Sequence, residues 1–522
     1  MKNSLSIAGI IMILALLAST VADPALAAPR AVGNPIRVAI YISTGANSDK
    51  IMATMRAVQA MGFEFYGIGR SDIKQGRLTT ANYDVLLIPA GEADNKTAYA
   101  SIDGLDQTLT KNNIKAFVNA GGGVVALESG AYYISLNGGT LDLYKGNYTR
   151  GATAGKTTVT ISDSGFGSGA QEVYRTAGSG YFALSSGATQ VAKNSSNQTV
   201  IARAAYGAGR VIVSSVDPEL RGDSELDWSI WDNWAMSNSH TNSVGAWKLL
   251  GRMINWAATG AATEPTVTVY PNPTGSRIAV VSTHTADGGA WSALLPGIYR
   301  AVEYSGHIPL AIRFDEINSG KLTLSNFKAV ILPGGYSYGY KVGLGATGGT
   351  NIKNFATSGG GVMGICAGSF YLSQNIVWEG KSYTYLDFFK GTDTGAISDI
   401  ASWPSYGLTT TYINDPVIGL TSVNQTQMYY GGGYKTNLIA SNATMVATYS
   451  YSGKYSGTAN AIRFMYGSGH VLLIGTHPES RSGSNEDWMT WDNYVEESNT
   501  PLTNPDNPWI FFNAVLDNWL TQ

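Results

Sequence analysis

Three features of the 522-residue sequence predict an α/β fold built twice: two tandem, mostly parallel sheets, each with helices on both faces and an antiparallel insertion. Short β-branched runs alternate with amphipathic stretches, as strands and covering helices alternate in a parallel sheet. A glycine-rich segment recurs in register, GGGVVALESGAYYIS at residues 121–135 and GGGVMGICAGSFYLS at residues 359–373. A second segment recurs near the end of each half, DPELRGDSELDWSIWDNW at 217–234 and HPESRSGSNEDWMTWDNY at 477–494.

The elements follow in order. Residues 1–27 read as an export signal, with Lys2, an apolar core over 7–18 and the small-x-small site Ala25-Leu26-Ala27 before Ala28. That core is short for a membrane span, and no later apolar run approaches the ~20 residues a spanning helix needs. The mature chain is therefore expected to be soluble outside the membrane, the alternative being an uncleaved N-terminal anchor. A first domain is expected over 28–260. It begins with the strand IRVAIYI at 36–42, a helix over 50–61 and a short strand over 63–68. DVLLIPAG at 84–91, a helical pattern over 105–120 and the first glycine-rich segment follow. Between 157 and 216 the runs TTVTI, QEVYR, VIARAAY and RVIVSSV alternate with period two, which indicates antiparallel strands inserted before the last sheet strand. A helix over 244–258 closes the unit. Residues 261–276, with Pro265, Pro271 and Pro273, make the linker.

A second domain over 277–522 repeats the plan: RIAVVS at 277–282, a helix over 294–305, AVILPGG at 329–335 and the second glycine-rich segment. The distance from Glu128 to Asp217 is 217 − 128 = 89 residues, and from Cys366 to His477 it is 477 − 366 = 111. The second half's insertion is thus longer by 111 − 89 = 22 residues, and it contains MYYGGGY at 428–434.

Composition bounds the function. With 44% hydrophobic and 14% charged residues, a net charge of −3 and no long basic run, nothing suggests a nucleic-acid or anionic-membrane partner. A single cysteine excludes an intramolecular disulfide, which a chain long enough to bury a full core can do without. The sequons at Asn95, Asn147, Asn194, Asn197, Asn424 and Asn442 fit an exported protein. No cofactor is implied, and the oligomeric state is left open.

That cysteine, Cys366, ends an apolar run and is flanked by Gly364 and Gly368 in a G-x-C-x-G pattern, the thiol form of a strand-to-helix nucleophile elbow. A helix starting near Ala367 points its N-terminal N–H groups at the sulfur. A lone cysteine is more often a small buried hydrophobe. Here a base, an orienting acid and oxyanion donors can all be named. His477 follows the apolar strand VLLIGT, and Glu479 stands two residues beyond it. The backbone N–H groups of Gly334 or Gly335 in the P-G-G turn, with that of Ala367, are the natural oxyanion donors.

L-P-G-G, G-I-C-A-G and H-P-E, in this order, resemble class I glutamine amidotransferase-like domains, which have a Cys-His-Glu triad on a flavodoxin-like sheet. Within that class the chain is most similar to the amidotransferase-like N-terminal domain of eukaryotic-type biotin protein ligases, which carries a similar elbow and a similar Y-x-G-G-G-Y segment. The resemblance implies Cys366 as nucleophile, His477 as base and Glu479 as orienting acid. Nothing here resembles the ligase's own catalytic domain, so biotin transfer is not implied, and no synthetase or ammonia-receiving domain is attached.

The first half departs where chemistry is decided: Glu128 stands in place of Cys366, Asp217 in place of His477, and Glu219 opposite Glu479. It lacks both nucleophile and base. Its three carboxylates would share one rim, either as a hard-cation site for an ion such as calcium or as a degenerate remnant neutralised by Arg221 and backbone donors. Features common to both halves, including Arg221 with Arg481 and the W-x-x-W-D-N motifs at 228–233 and 488–493, read as structural. The expected function is an exported cysteine-nucleophile hydrolase acting on a small-molecule or peptide amide. The alternatives are a non-catalytic surface binding protein, or a peptidase or deglycase of a related thiol-elbow family.

Overall fold

A computed structural model of the protein describes residues 35–42, 45–46, 48–91, 107–137, 141–151, 155–176, 179–220, 243–268, 274–285, 288–291, 294–480 and 507–522. The export signal, Arg221, Arg481 and both W-x-x-W-D-N motifs lie outside the described residues.

Each half is built on five parallel strands. In the first half their spatial order is Glu64–Ile68, Arg37–Tyr41, Val85–Ile88, Gly123–Leu127 and Gly209–Ser214. In the second it is Ile308–Ile312, Arg277–Val281, Ala329–Leu332, Gly361–Ile365 and Gly469–Ile474. Numbered along the chain, both read 2-1-3-4-5, the flavodoxin-like order, in which ligands bind beyond the carboxyl ends of the strands. The central strands VLLI, GVVAL and GVMGI are buried throughout because helices cover both faces.

The fifth strand of each core is entered through an antiparallel neighbour, Thr199–Tyr206 in the first half and Ala459–Tyr466 in the second. The run RVIVSSV therefore belongs to the parallel core, while the runs before it form the antiparallel extension. The longer insertion of the second half contains the hairpin Gly407–Asp415 with Leu420–Tyr429, which delivers the MYYGGGY segment to the rim above Cys366.

One helix is hidden from sequence patterning. Ser337–Thr357 contains five glycines and kinks at Gly345 (φ 55°, ψ −157°). Each glycine in a helix costs about 1 kcal/mol relative to alanine. Burial of Tyr340, Leu344, Ile352 and Phe355 at helical spacing offsets that cost.

Residues 35–522 make a single compact unit. Helices Ser48–Ala60 and Leu295–Tyr304 meet through the largely buried Arg56–Glu303 ion pair. Burial alone would push the Glu303 carboxyl up, but Arg56 and Arg300 together hold it below its ordinary value. The connecting stretch is packed down as well: Thr268 N donates to the Ala60 carbonyl at 2.7 Å, and Pro265 lies against Gly251. Among the described residues no helix is long and apolar enough to cross a membrane.

Candidate active site

Cys366 joins strand Gly361–Ile365 to helix Ala367–Leu372 in a strained conformation, φ 48° and ψ −106°. Glu128 occupies the same turn in the first half, φ 42° and ψ −108°. Each elbow amide donates to the end of the fifth strand, Cys366 N to Ile474 O at 2.8 Å and Glu128 N to Ser214 O at 2.7 Å. The strain is thus held by the sheet whatever side chain the elbow carries. Close packing of the following helix needs glycine: a Cβ on Gly368 would stand 2.1 Å from the Leu332 carbonyl oxygen.

His477 emerges from the fifth strand of the second half on the rim where Cys366 sits. Its amide donates to Met428 O at 2.9 Å, and the preceding backbone is pinned by the buried Asn460 amide, which accepts from Gly475 N and Thr476 N at 3.2 and 3.1 Å. The ring Nδ1 lies 2.8 Å from Glu479 Oε1, and both side chains are completely buried. Glu479 is itself placed by Trp509, whose indole donates to the Glu479 carbonyl at 2.8 Å. The first half repeats this contact from Trp247 to Glu219 at 2.7 Å.

Burial disfavours a charged imidazole, yet the negative charge of Glu479 and of a Cys366 thiolate outweighs it and raises His477 to about 10. Nε2 is buried without a hydrogen bond of ordinary geometry, and the Cys366 sulfur acts on the ring as a long, imperfect partner. Loose geometry of this kind is usual before substrate binds. The sulfur, on a residue only 6% exposed, donates to Tyr430 O at 3.4 Å. The glycine-rich loop therefore caps the cysteine.

The P-G-G turn has a packing role that its sequence did not disclose. A Cβ on Gly334 would lie 2.5 Å from His477 Cε1 and 2.8 Å from Leu294 Cδ1, so the imidazole occupies the space a side chain would need. The Gly334 carbonyl accepts from Trp291 N at 2.9 Å, and Gly335 belongs to a short strand paired with Gly288–Ala290. Ala367 opens the elbow helix, where backbone N–H groups have no intrahelical acceptor.

Two buried charges near the elbow escaped sequence reading. Asp393 Oδ2 accepts from Ser369 Oγ of the elbow helix at 2.7 Å and lies 3.6 Å from Lys435 Nζ, with both charged side chains fully buried. Burial raises Asp393 and lowers Lys435 from their ordinary values, and a Cys366 thiolate partly opposes the shift at Lys435. Lys435 is thus a second cation acting on the sulfur. The available signal was a lysine directly after the G-G-G-Y run and an aspartate inside a strand. Lys435→Met leaves Asp393 without its counter-charge, and urea unfolding is expected to show a loss of about 3 kcal/mol. Adding Asp393→Asn should recover part of it.

A run of aromatic contacts extends from the capping residue: Trp291 to Tyr430, Tyr430 to Trp403 and Trp403 to Trp378 have centroid separations of 5.3, 5.0 and 5.5 Å.

In the first half Glu128, Asp217 and Glu219 act on one another electrostatically. Burial and the Asp217 charge raise Glu128 to about 7, and the same two causes raise Glu219 well above its ordinary value. Asp217 Oδ2 instead accepts from Thr176 N at 2.8 Å and Thr176 Oγ1 at 3.1 Å. Among the described residues no group of three His, Cys, Asp or Glu side chains is placed to hold a metal ion.

The strand order is flavodoxin-like in both halves, and the second carries a Cys-His-Glu constellation at its elbow. Residues 324–516 match the family model described as biotin-protein ligase, N terminal, and this part of the chain is related to that domain. A biotin–protein ligase of Schizosaccharomyces pombe is 29% identical over 178 residues, which is 30% of this chain and 26% of that protein. The chain therefore spans about a quarter of that relative's length. Among solved structures, a glutamine amidotransferase of Thermotoga maritima aligns at 13% identity and TM-score 0.33, covering 42% of this chain and 99% of its own. An exo-β-1,4-mannosidase of an Opitutaceae bacterium aligns at 14% identity and TM-score 0.25, covering 35% of this chain and 32% of its own.

Proposed function

We propose that the second half is a thiol amide hydrolase, exported on residues 1–27, and that the first half is an inactive copy. The observation that carries this reading is the buried His477, held by Glu479 on Nδ1 and unpaired at Nε2 except for the elbow cysteine. The first half keeps the elbow and Glu219 but has Glu128 and Asp217 where the second half has the thiol and the imidazole.

In this mechanism the Cys366 thiolate attacks the amide carbonyl and forms a C–S bond. The oxyanion is held by the backbone N–H groups of Ala367 and of the Gly334–Gly335 turn. Protonated His477 gives its proton to the departing amine as the C–N bond breaks. Water then attacks the thioester while His477 takes a proton, and the carboxylic acid leaves with the thiolate restored. The substrate is a small-molecule or peptide amide, and the aromatic rings beside Tyr430 suit one with an apolar face.

Two measurements test the two parts. N-terminal sequencing of the secreted protein should begin at Ala28; a chain retaining Met1 on the cell would exclude cleavage. Iodoacetamide at neutral pH should alkylate Cys366 faster than a free thiol, with protection by amides of the substrate class. Alkylation no faster than free cysteine, with no protection, would favour a non-catalytic binding protein, in keeping with a sulfur capped by Tyr430.

A further inference from the structure

A cavity of about 460 Å³ in the first half is lined by Arg175 and Val216, the residues that follow Tyr174 and precede Asp217. The correspondence with the second half is set by the backbone. Tyr174 bridges to Asp217 as Met428 bridges to His477, through amide-to-carbonyl bonds of 2.8 and 2.9 Å. The next residue starts the capping loop in the second half, Tyr429, and in the first half it is Arg175.

Arg175 and Arg150 both line this cavity, together with Thr157, Ser179, Gln198 and Val216. Arg175 forms no ion pair with any described residue, and its Nε is buried without a hydrogen-bond partner. Ser179 is 1% exposed and its Oγ is likewise unpartnered. Leaving such groups unsatisfied costs about 1–3 kcal/mol each, a penalty that a bound ligand removes. No carboxylate lines the cavity among the described residues. Glu128, Asp217 and Glu219 are not among the lining residues, and Arg150 acts on Glu128 electrostatically. A guanidinium fork matches a carboxylate, and the hydroxyl and amide groups around it match ligand hydroxyls. The volume suits one small organic molecule.

We propose that the first half binds a small hydroxylated carboxylate of sugar-acid size, with Arg175 and Arg150 on the carboxylate and Ser179, Thr157 and Gln198 on hydroxyls. The site is independent of the hydrolase reading. The test is calorimetric titration of the full chain, with Cys366 alkylated, using sodium glucuronate and neutral glucose. Saturable glucuronate binding without glucose binding is expected, weakened about tenfold or more by Arg175→Gln and less by Arg175→Lys. Thermal melting of the unliganded variants checks that they fold. Absence of glucuronate binding, equal binding of glucose, or unchanged affinity in a folded Arg175→Gln variant would overturn the assignment.

Discussion

His477→Gln is expected to reduce amide turnover by about a thousandfold, within the range that loss of a positioned acid–base catalyst produces. It should also slow alkylation of Cys366, because the imidazole that interacts electrostatically with the sulfur is gone. Single-turnover hydrolysis and iodoacetamide kinetics on the same preparation check both. An effect on turnover without one on alkylation would mean that the imidazole does not act on the sulfur.

The same residue sets a pH signature. Its folded value of about 10 lies above the ordinary 6.5, so the stabilisation from its protonation is fully present below pH 6.5 and is lost as pH rises through about 10. Between these values the melting temperature of the wild type should fall more steeply with pH than that of His477→Gln. Parallel curves would show that the imidazole is not protonated in the folded protein.

Gly334→Ala is expected to lower kcat/KM by about a hundredfold while the protein still folds. The added methyl would meet His477 Cε1 at 2.5 Å, and the ring would have to tilt away from its line to the sulfur. Displacement of a catalytic group by about 1 Å can cost this much, whereas overpacking at a single position costs about 1–3 kcal/mol of stability. Kinetics paired with thermal melting separate the two effects. An unchanged rate in the folded variant would remove the P-G-G turn from the positioning of His477.

Much of the architecture was legible because it is local and periodic. The strands around 36–42, 84–91, 277–282 and 329–335 are continuous apolar runs, and their order along the chain restricts the connections a parallel sheet can make. Helix Ser337–Thr357 was not legible, since five glycines erase its helical signature and only its packed face stabilises it. At the site, Cys366 and His477 stood out by residue type and by comparison of the halves, and Glu479 by the H-P-E motif it shares with His477. Lys435, Asp393 and the steric role of Gly334 did not, since each acts across long sequence separations.

The sequence by itself determined that the chain repeats, where its elbows fall, and that the thiol and the imidazole belong to the second copy alone. These are properties of residue order and type. Only the tertiary structure decided which groups face one another: the imidazole against Gly334, the Tyr430 carbonyl over the sulfur, the buried lysine near it and Arg175 in the first-half cavity. Desolvation and close approach depend on which segments meet in space, and that is settled when the sheets close and the inserted loops come down on their carboxyl edges.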